Sequence, residues 1–135
     1  MEQYFEHNFS FSQDDVILFS KATGDNNPIH LDEQYASRTS FKKPILHGIL
    51  SASVFSKIFG SLYPGEGTIY LSQTMVFLKP MYVDAVYTAK LNLIEIDTVK
   101  GKAKYSTDIF DSVAVLTFKG EAVILHKIFK KDERI

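Results

Sequence analysis

A short segment in the first quarter of the chain holds the residue types that acid–base chemistry at neutral pH requires. From Gly24 to Leu31 it reads Gly-Asp-Asn-Asn-Pro-Ile-His-Leu, which places a carboxylate, two amides and an imidazole close together. Asp25 and His30 are five positions apart. That spacing does not put them on one face of a helix, so only a turn of defined shape can bring them to one point. A carboxylate and an imidazole held together can position a water molecule and manage its protons.

The residues around this pair predict a sharp, stiff turn. Gly24 suits the end of a preceding helix, because glycine adopts the left-handed conformation without a Cβ penalty. Pro28 has a fixed φ and pushes Asn27 towards an extended conformation. Asp and Asn before a proline are also ordinary turn formers, and His30 could simply cap the next helix. The five residues from Gly24 to Pro28 favour that ordinary interpretation, but the following Ile-His pair and a second motif downstream favour chemistry.

The second motif is an apolar segment from Ile45 to Leu62. Its only charged residue is Lys57, which predicts a long helix buried on all sides. Small residues recur every four positions and form a narrow strip on one face of that helix: Gly48, Ala52, Ser56 and Gly60. The strip would let a substrate or another backbone approach closely, and helix-on-sheet packing is the alternative explanation.

The N-terminal region predicts a strand followed by a helix. Tyr4 to Phe11 alternates aromatic and polar residues, as in a strand with one buried face, and His7 on that face is interpreted as structural. Ser12 with Asp15 three residues later resembles a capping box for a helix from about Gln13 to Thr23.

After Thr68 the chain reads as strands. The predicted features are strands over 68–79, 83–96, 103–110 and 113–129, a hairpin turn at 99–102, a bulge at Gly120, and a strand end with a solvated terminus from Lys127 to Ile135. About five strands and one buried helix predict an α+β fold, in which a curled antiparallel sheet wraps around one long helix within a single domain, residues 1–135.

Composition excludes several classes of function. The chain has 135 residues, of which 45% are hydrophobic and 23% charged, as in ordinary globular proteins. Its net charge of −1 gives no electrostatic reason to expect nucleic acid or an anionic membrane as a partner. The absence of cysteine excludes disulfides and thiol catalysis. No signal-peptide pattern and no apolar run of about 20 residues is present, so a cytoplasmic protein is expected.

Several stretches together resemble a known family. Residues 19–30 followed by Tyr35-Ala36-Ser37 resemble the hydratase 2 motif of the MaoC-like dehydratases, and in particular the small, single-domain (R)-specific enoyl-CoA hydratases. The likeness covers the chain from about Asp14 to His126 and continues through Pro44 to Ser56, Pro64-Gly65 and Ile69 to Leu71.

The resemblance implies a hot-dog fold. Its motif region would be 19–37, its central helix about 45–62 and its sheet 68–129. An isolated copy would leave one sheet edge open, and a long exposed edge favours association. Hot-dog proteins commonly pair two sheets edge to edge, so a homodimer is expected.

The resemblance also implies an activity, the reversible syn addition of water to a trans-2-enoyl-CoA to give the (R)-3-hydroxyacyl-CoA. Such a hydro-lyase of fatty acid metabolism needs no cofactor and no metal. Asp25 would be the base for the water that attacks C3, and His30 would position that water and handle the proton delivered to C2. The N–H of Gly48 fits the family's oxyanion donor, because a helix N-terminus presents free N–H groups and a positive dipole end.

Other residues receive supporting roles from the same resemblance. Ser56 falls where the family has a serine that supports the catalytic pair, Asn27 is expected to hold the turn, and His47 is given a structural role. An acyl tunnel could end at residues on the far part of the helix, although ordinary core packing explains each of them at least as well: Phe55, Ile58 and Phe59.

Several alternatives stay open at this stage. Hot-dog proteins also include acyl-CoA thioesterases and acyl-binding modules, although the Asp-Asn-x-Pro-x-His signature favours hydration. Acyl carrier protein could replace CoA, with dehydration as the physiological direction, and chain length is not fixed. Lys42 and Lys43 could meet substrate phosphates, but a solvated loop is favoured. Asp84-Ala85 stands where relatives usually carry Gly-Asp, which leaves the geometry of that loop open.

Overall fold

The computed structural model describes residues 1–131. The strands are β1 (Tyr4–Phe9), β2 (Ile69–Gln73), β3 (Val76–Phe77), β4 (Tyr87–Asp97), β5 (Lys102–Phe110) and β6 (Leu116–Leu125). The helices are α1 (Gln13–Thr23), α2 (Pro28–Leu31), α3 (Glu33–Ser37), α4 (Gly48–Ala52) and α5 (Val54–Lys57). A π-helical turn (Ile58–Leu62) follows α5, and a 3-10 turn (Lys127–Phe129) follows β6.

The strands form one antiparallel sheet in the order β1-β4-β5-β6-β2, with β3 also paired to β6. The helical segment from α4 to the π-helical turn packs its apolar side against one face of this sheet. Phe55 contacts Phe118 of β6 with ring centroids 5.6 Å apart, and Phe59 contacts Tyr105 of β5 at 6.2 Å. The expected α+β layout is therefore present, with six strands rather than about five.

Local signals at the first helix are confirmed. The Ser12 side chain accepts from the Asp15 N–H, and the Asp15 carboxylate accepts from the Ser12 N–H, which completes the capping box. Gly24 ends the helix in the left-handed conformation at φ 82°, with its N–H bonded to the Ser20 carbonyl. The helix therefore delivers the chain to the Asp25 turn as predicted.

The helix predicted over about 45–62 differs from the structure at both ends: its first three residues are not helical, and its last turn is π-helical. Ile45 forms an isolated antiparallel bridge with Tyr82, and the Leu46 N–H donates to the Met81 carbonyl at 2.8 Å. These backbone bonds hold 45–46 extended, so the helix begins at Gly48. Ser53 keeps a helical backbone between α4 and α5, with its N–H donated to the Ile49 carbonyl at 2.9 Å, and the segment finishes as the π-helical turn.

Burial of this segment on all sides is also wrong. Ile49 is 54% exposed, and both Ser56 and Gly60 are exposed. Apart from the adjoining helix backbone, no heavy atom of the described residues lies within 4 Å of the position that a Cβ of Gly60 would occupy. Among the described residues, the strip of small residues is therefore not covered along its full length by another backbone of this chain.

The strand predicted over 68–79 divides into β2 and β3. The Thr74 N–H donates to the Glu121 carbonyl at 2.9 Å, and the intervening backbone approaches β6 closely. A Cβ on Gly120 would lie 2.0 Å from the Thr74 carbonyl oxygen. Gly120 is therefore needed for this close approach, and the bulge predicted there is wrong, since the β5–β6 register shifts at the pair after Ile109.

Turns also shorten other predicted strands. β4 begins at Tyr87 and not at Val83, because Asp84 turns the chain at φ 63° and its N–H donates to the Phe11 carbonyl. β6 begins at Leu116 because the Asp111 carboxylate accepts two backbone N–H groups of the preceding turn. The hairpin turn at 99–102 is present, with Gly101 at φ 74°.

The two chain ends also differ from the predictions. β1 stops at Phe9, two residues before the predicted end. The predicted strand end at 127–129 is a 3-10 turn, and the remainder of the predicted terminus, 132–135, lies outside the described residues. Within the part of the chain that the structure describes, no helix is both long enough and apolar enough to cross a bilayer.

Candidate active site

The segment after α1 is a turn held by its own side chains. The Asp25 N–H donates to the Thr23 hydroxyl at 3.2 Å, and the Asn27 N–H donates to the Asp25 carboxylate at 3.3 Å. The Asn27 side chain accepts from the Ile29 N–H at 3.2 Å and caps α2. This cap is the turn-holding contact that the sequence predicts for Asn27, and it fixes where His30 emerges from α2.

His30 is oriented by the extended strand that precedes α4. Its Nδ1 lies 2.7 Å from the Ile45 carbonyl oxygen, and the Ile45 N–H returns a bond to the Ile29 carbonyl at 3.2 Å. A carbonyl oxygen only accepts, so Nδ1 carries the proton and Nε2 of the neutral ring keeps its lone pair. The side chain is 9% exposed, and it is therefore well fixed.

The turn and the start of α4 bring three polar side chains together. Asp25, His30 and His47 each place one nitrogen or carboxylate oxygen within 4.8 Å of the others. Such a trio raises the question of a metal site. The rings of His30 and His47 are stacked, however, with centroids 4.0 Å apart and planes inclined by 30°. Lone pairs of stacked rings do not converge on one ion, so this donor set fits acid–base chemistry better than a shared metal.

His47 is the most buried member of the trio, at 2% exposure. Burial lowers the pKa of His47, and the neighbouring His30 lowers it further, against the opposing effect of its contact with the Asp25 carbonyl. The neutral imidazole is therefore the form favoured at neutral pH. The sequence gives His47 a structural role, but it did not reveal these contacts.

Gly48 is the first residue of α4, so its N–H has no acceptor within the helix. It lines a cavity of about 250 Å³ together with Asp25, His30 and His47. It also lines a second cavity of about 470 Å³, and His30 is shared by both. The carboxylate, the imidazole and the helix start therefore all border the smaller cavity.

The larger cavity has mainly apolar walls that the sequence did not identify. Its lining includes Phe77 of β3, Met81 of the loop between β3 and β4, and Phe118 of β6. Alternation predicts which strand residues share a face, but not which of them border a cavity, because that depends on how the sheet meets the helix. Tertiary packing thus decides which residues line the cavity.

The remaining predicted site residues lie elsewhere. Ser56 lines a separate cavity of about 270 Å³ and not the one that holds Asp25 and His30. Three residues predicted to floor an acyl tunnel are at most 1% exposed in the hydrophobic core and do not line the two cavities beside His30: Phe55, Ile58 and Phe59. Their packing matches the core alternative.

The two loop lysines do not border the acid–base pair. Lys43 places its Nζ 5.2 Å from the centroid of the Tyr82 ring. Lys42 is exposed and adopts a positive φ of 71°. Neither residue lines the two cavities that contain His30. The solvated-loop interpretation fits this arrangement.

An antiparallel sheet packed against a central helical segment is the layout of a hot-dog fold. The sequence model described as MaoC like domain matches residues 1–113. The chain therefore belongs to the MaoC-like dehydratase family.

Individual relatives point to the same class. The (R)-specific enoyl-CoA hydratase of Aeromonas caviae is 39% identical over 84% of this chain and 85% of that protein. The solved structure of the A. caviae (R)-hydratase involved in PHA biosynthesis matches with a TM-score of 0.88 and 36% identity, over 93% of this chain and 96% of that one. This match confirms the hot-dog fold.

Two further relatives are dehydratases. The 3-hydroxybutyryl-CoA dehydratase of Methylorubrum extorquens is 36% identical over 90% of this chain and 76% of that protein. The mitochondrial 3-hydroxyacyl-[acyl-carrier-protein] dehydratase FERN of Solanum lycopersicum is 36% identical over 86% of this chain and 70% of that protein. Hydratases and dehydratases are hydro-lyases that run one reaction in opposite directions.

Proposed function

We propose that the chain catalyses the reversible syn addition of water to a trans-2-enoyl thioester, giving the (R)-3-hydroxyacyl thioester. The observation that carries this proposal is the meeting of Asp25 and His30 within 4.8 Å at a cavity that Gly48 also lines. A carboxylate and an imidazole on one side of a bound alkene can deliver both parts of water to the same face.

Asp25 is the general base of this mechanism. Its carboxylate takes a proton from a water molecule while the water oxygen bonds to C3. The exposed position of Asp25 gives that water access from solvent, and the bond from the Asn27 N–H limits the carboxylate's rotation. A positioned base of this kind contributes about 10²–10⁴ in rate.

His30 positions the same water and handles the proton delivered to C2. The Ile45 carbonyl fixes Nδ1–H, which leaves Nε2 as the nitrogen that exchanges protons. In the hydration direction, the proton that Asp25 takes from the water passes through Nε2 to C2, where the C2=C3 π pair forms the new C–H bond as the water oxygen bonds to C3. Because Asp25 and His30 lie within 4.8 Å of each other, both additions occur on one face.

The Gly48 N–H stabilises the thioester oxygen as negative charge develops there. Donors at a helix start need no reorganisation during the reaction, and one such donor contributes about 10²–10³ in rate. Gly48 has no Cβ, which allows the Phe77 ring to pack directly beside its backbone. An added Cβ would lie 2.9 Å from Cε1 of Phe77.

The acyl chain occupies the cavity of about 470 Å³, whose apolar lining by Phe77, Met81 and Phe118 suits an aliphatic tail. We propose a CoA thioester of short to medium chain length as the substrate, in keeping with the two relatives named for CoA thioesters. The relative named for acyl carrier protein makes that carrier the alternative.

We further propose that the chain works as a homodimer through the edge formed by β2 and β3. Along this edge the exposed fractions are 53% for Ile69, 44% for Leu71, 45% for Val76 and 51% for Phe77. Such an apolar, unprotected edge favours association with another edge. Ser56 has its proposed supporting role only if the dimer brings it to the Asp25–His30 site of the partner subunit. A single domain, a cytoplasmic location, and no cofactor or metal complete the proposal.

The test is hydration of crotonyl-CoA by the purified protein, which is monitored as the loss of the enoyl-thioester absorbance. Coupling to an (R)-specific 3-hydroxyacyl-CoA dehydrogenase should produce NADH, and coupling to an (S)-specific one should produce almost none. Free thiol is measured in parallel. Thiol release without loss of the double bond would indicate a thioesterase and overturn the proposal.

A further inference from the structure

His47 has contacts that the mechanism above does not use. Its Nε2 lies 3.0 Å from the Ser20 hydroxyl and 3.4 Å from the carbonyl oxygen of Asp25. Its ring stacks on His30 at 4.0 Å between centroids, and Phe19 packs at 4.6 Å from it. One buried side chain therefore touches both members of the proposed catalytic pair.

We propose that His47 is a positioning residue, which fixes Asp25 through its backbone carbonyl and fixes the plane of the His30 ring by stacking. This inference rests on the proposed function, because it assigns His47 to the geometry of that reaction and not to a step in it.

The hydrogen bonds of His47 assign its tautomer. The Asp25 carbonyl oxygen only accepts, so the proton belongs on Nε2, which donates towards Asp25 and the Ser20 hydroxyl. The other tautomer would place an N–H on Nδ1, a buried atom that has no partner within residues 1–131. It would also leave the Asp25 carbonyl contact without a donor.

Simple core filling does not explain a histidine here. A buried ring nitrogen without a partner costs stability, and an apolar ring of similar size would avoid that cost. The chain keeps a polar ring at the one place where it contacts both Asp25 and His30. Natural proteins accept such local costs mainly at functional sites.

The proposal also separates the roles of the two histidines. His47 Nε2 is committed to the Ser20 hydroxyl and the Asp25 carbonyl, and burial lowers its pKa, so His47 stays neutral and the proton exchange is left to His30. Small displacements of a catalytic group reduce the rate strongly, with about 100-fold lost for a shift of about 1 Å. A residue that fixes the pair should therefore act on kcat more than on KM.

Two substitutions separate the contacts of His47. His47→Phe keeps an aromatic ring to stack on His30 and removes the bond to the Asp25 carbonyl. His47→Gln keeps a side-chain N–H donor and removes the ring. Each should lower kcat for crotonyl-CoA by about 10- to 100-fold, with KM changed by less than about threefold, and His47→Ala, which loses both contacts, should lower kcat further.

His126→Phe is the matched control. His126 is also a buried histidine, at 7% exposure, and it bonds the Glu66 carbonyl and the Ile128 N–H. It lies at the end of β6 opposite to the end that meets the larger cavity, and it is outside the proposed site. His126→Phe should reduce thermal stability and leave kcat per folded enzyme unchanged.

Each outcome decides the inference. Wild-type kcat in folded His47→Phe and His47→Gln, with Asp25→Asn inactive, overturns the positioning role. So does a fall in activity that is fully explained by less folded protein, as in the control. If neither variant folds, Ser20→Ala is measured instead, because it leaves the imidazole in place and removes its hydroxyl partner. This variant must lower kcat, and an unchanged kcat overturns the positioning role of His47. Failure of the proposed function is distinct, because the wild-type protein would then not hydrate crotonyl-CoA.

Discussion

Gly48 offers the sharpest test of the proposed oxyanion site. In Gly48→Ala, the new Cβ would meet the Phe77 ring at 2.9–3.1 Å, whereas carbon atoms pack at about 3.5–4.0 Å. The ring must therefore retreat by about 0.5–1 Å. Phe77 is 51% exposed and can move, and alanine is favoured over glycine in helices by about 0.5–1 kcal/mol. The free energy of unfolding should therefore change by about 1 kcal/mol or less.

Turnover should respond much more strongly than stability. Gly48 lines both cavities, and its new Cβ would displace the thioester carbonyl from the Gly48 N–H. Loss of one such donor lowers kcat by about 10²–10³, equivalent to about 2.7–4 kcal/mol. Gly48→Val should have a larger effect, also with little loss of folded protein. The assay is kcat for crotonyl-CoA, measured beside thermal unfolding of the same preparation.

A double substitution separates two causes of the loss. Phe77→Ala removes the ring that the new Cβ would strike, and it serves as the background in which Gly48→Ala is measured again. If turnover lost on Gly48→Ala returns in that background, the displaced ring was responsible and the oxyanion assignment is refuted. Near-wild-type turnover in Gly48→Ala, or equal losses of stability and turnover, would refute it as well.

Other substitutions and conditions test separate parts of the argument. Asp25→Asn should lower kcat by about 10²–10⁴ with an unchanged melting temperature, because Asp25 lies in an exposed turn; retained activity would contradict its role as base. Gly120→Ala should destabilise the fold by about 1–3 kcal/mol, since its Cβ would meet the Thr74 carbonyl oxygen at 2.0 Å; urea unfolding measures this, and kcat per folded enzyme should not change. Phe77→Ala should shift the preference towards longer chains across C4 to C12 enoyl-CoAs, because it removes part of the apolar wall, and an unchanged profile would argue against that wall. Burial holds the pKa of His47 below its ordinary value of 6.5. As the pH falls below 6.5, the unfolded chain therefore binds a proton at this residue that the folded chain does not bind. The free energy of unfolding decreases as a result. His47→Phe should make that decrease shallower in unfolding measurements at about pH 5.5 and 7.5, and an identical slope would contradict the assigned pKa direction.

Local signals were sufficient to predict the turn that carries Asp25. The capping box at Ser12, the left-handed Gly24 and the Asn27 cap all act between residues a few positions apart. The physical forces that shape this turn are therefore visible in the sequence. The same is true of the hairpin turn at Gly101.

Long-range contacts decided what the sequence could not show. The helix begins at Gly48 and not at Ile45 because the Leu46 N–H donates to the Met81 carbonyl. No local sequence pattern reveals Met81 as that partner. Phe55 and Phe59 became core while Phe77 borders the larger cavity, because the sheet meets only part of the helical segment. The contact of His47 with the Asp25 carbonyl depends on backbone atoms, whose positions residue types alone do not specify.

The bond from His30 to the Ile45 carbonyl has a consequence for how the protein senses its substrate. Leu46, the next residue, is tied to Met81 at 2.8 Å, and Met81 borders the larger cavity. A tail that is too long and pushes on Met81 would therefore strain the same two-residue strand that aims the imidazole. Poorly fitting substrates should bind and yet react slowly, so that chain length is discriminated in kcat as well as in KM. The acyl cavity would in this way tune the proton-transfer geometry mechanically, through two hydrogen bonds, one from Leu46 to Met81 and one from His30 to Ile45.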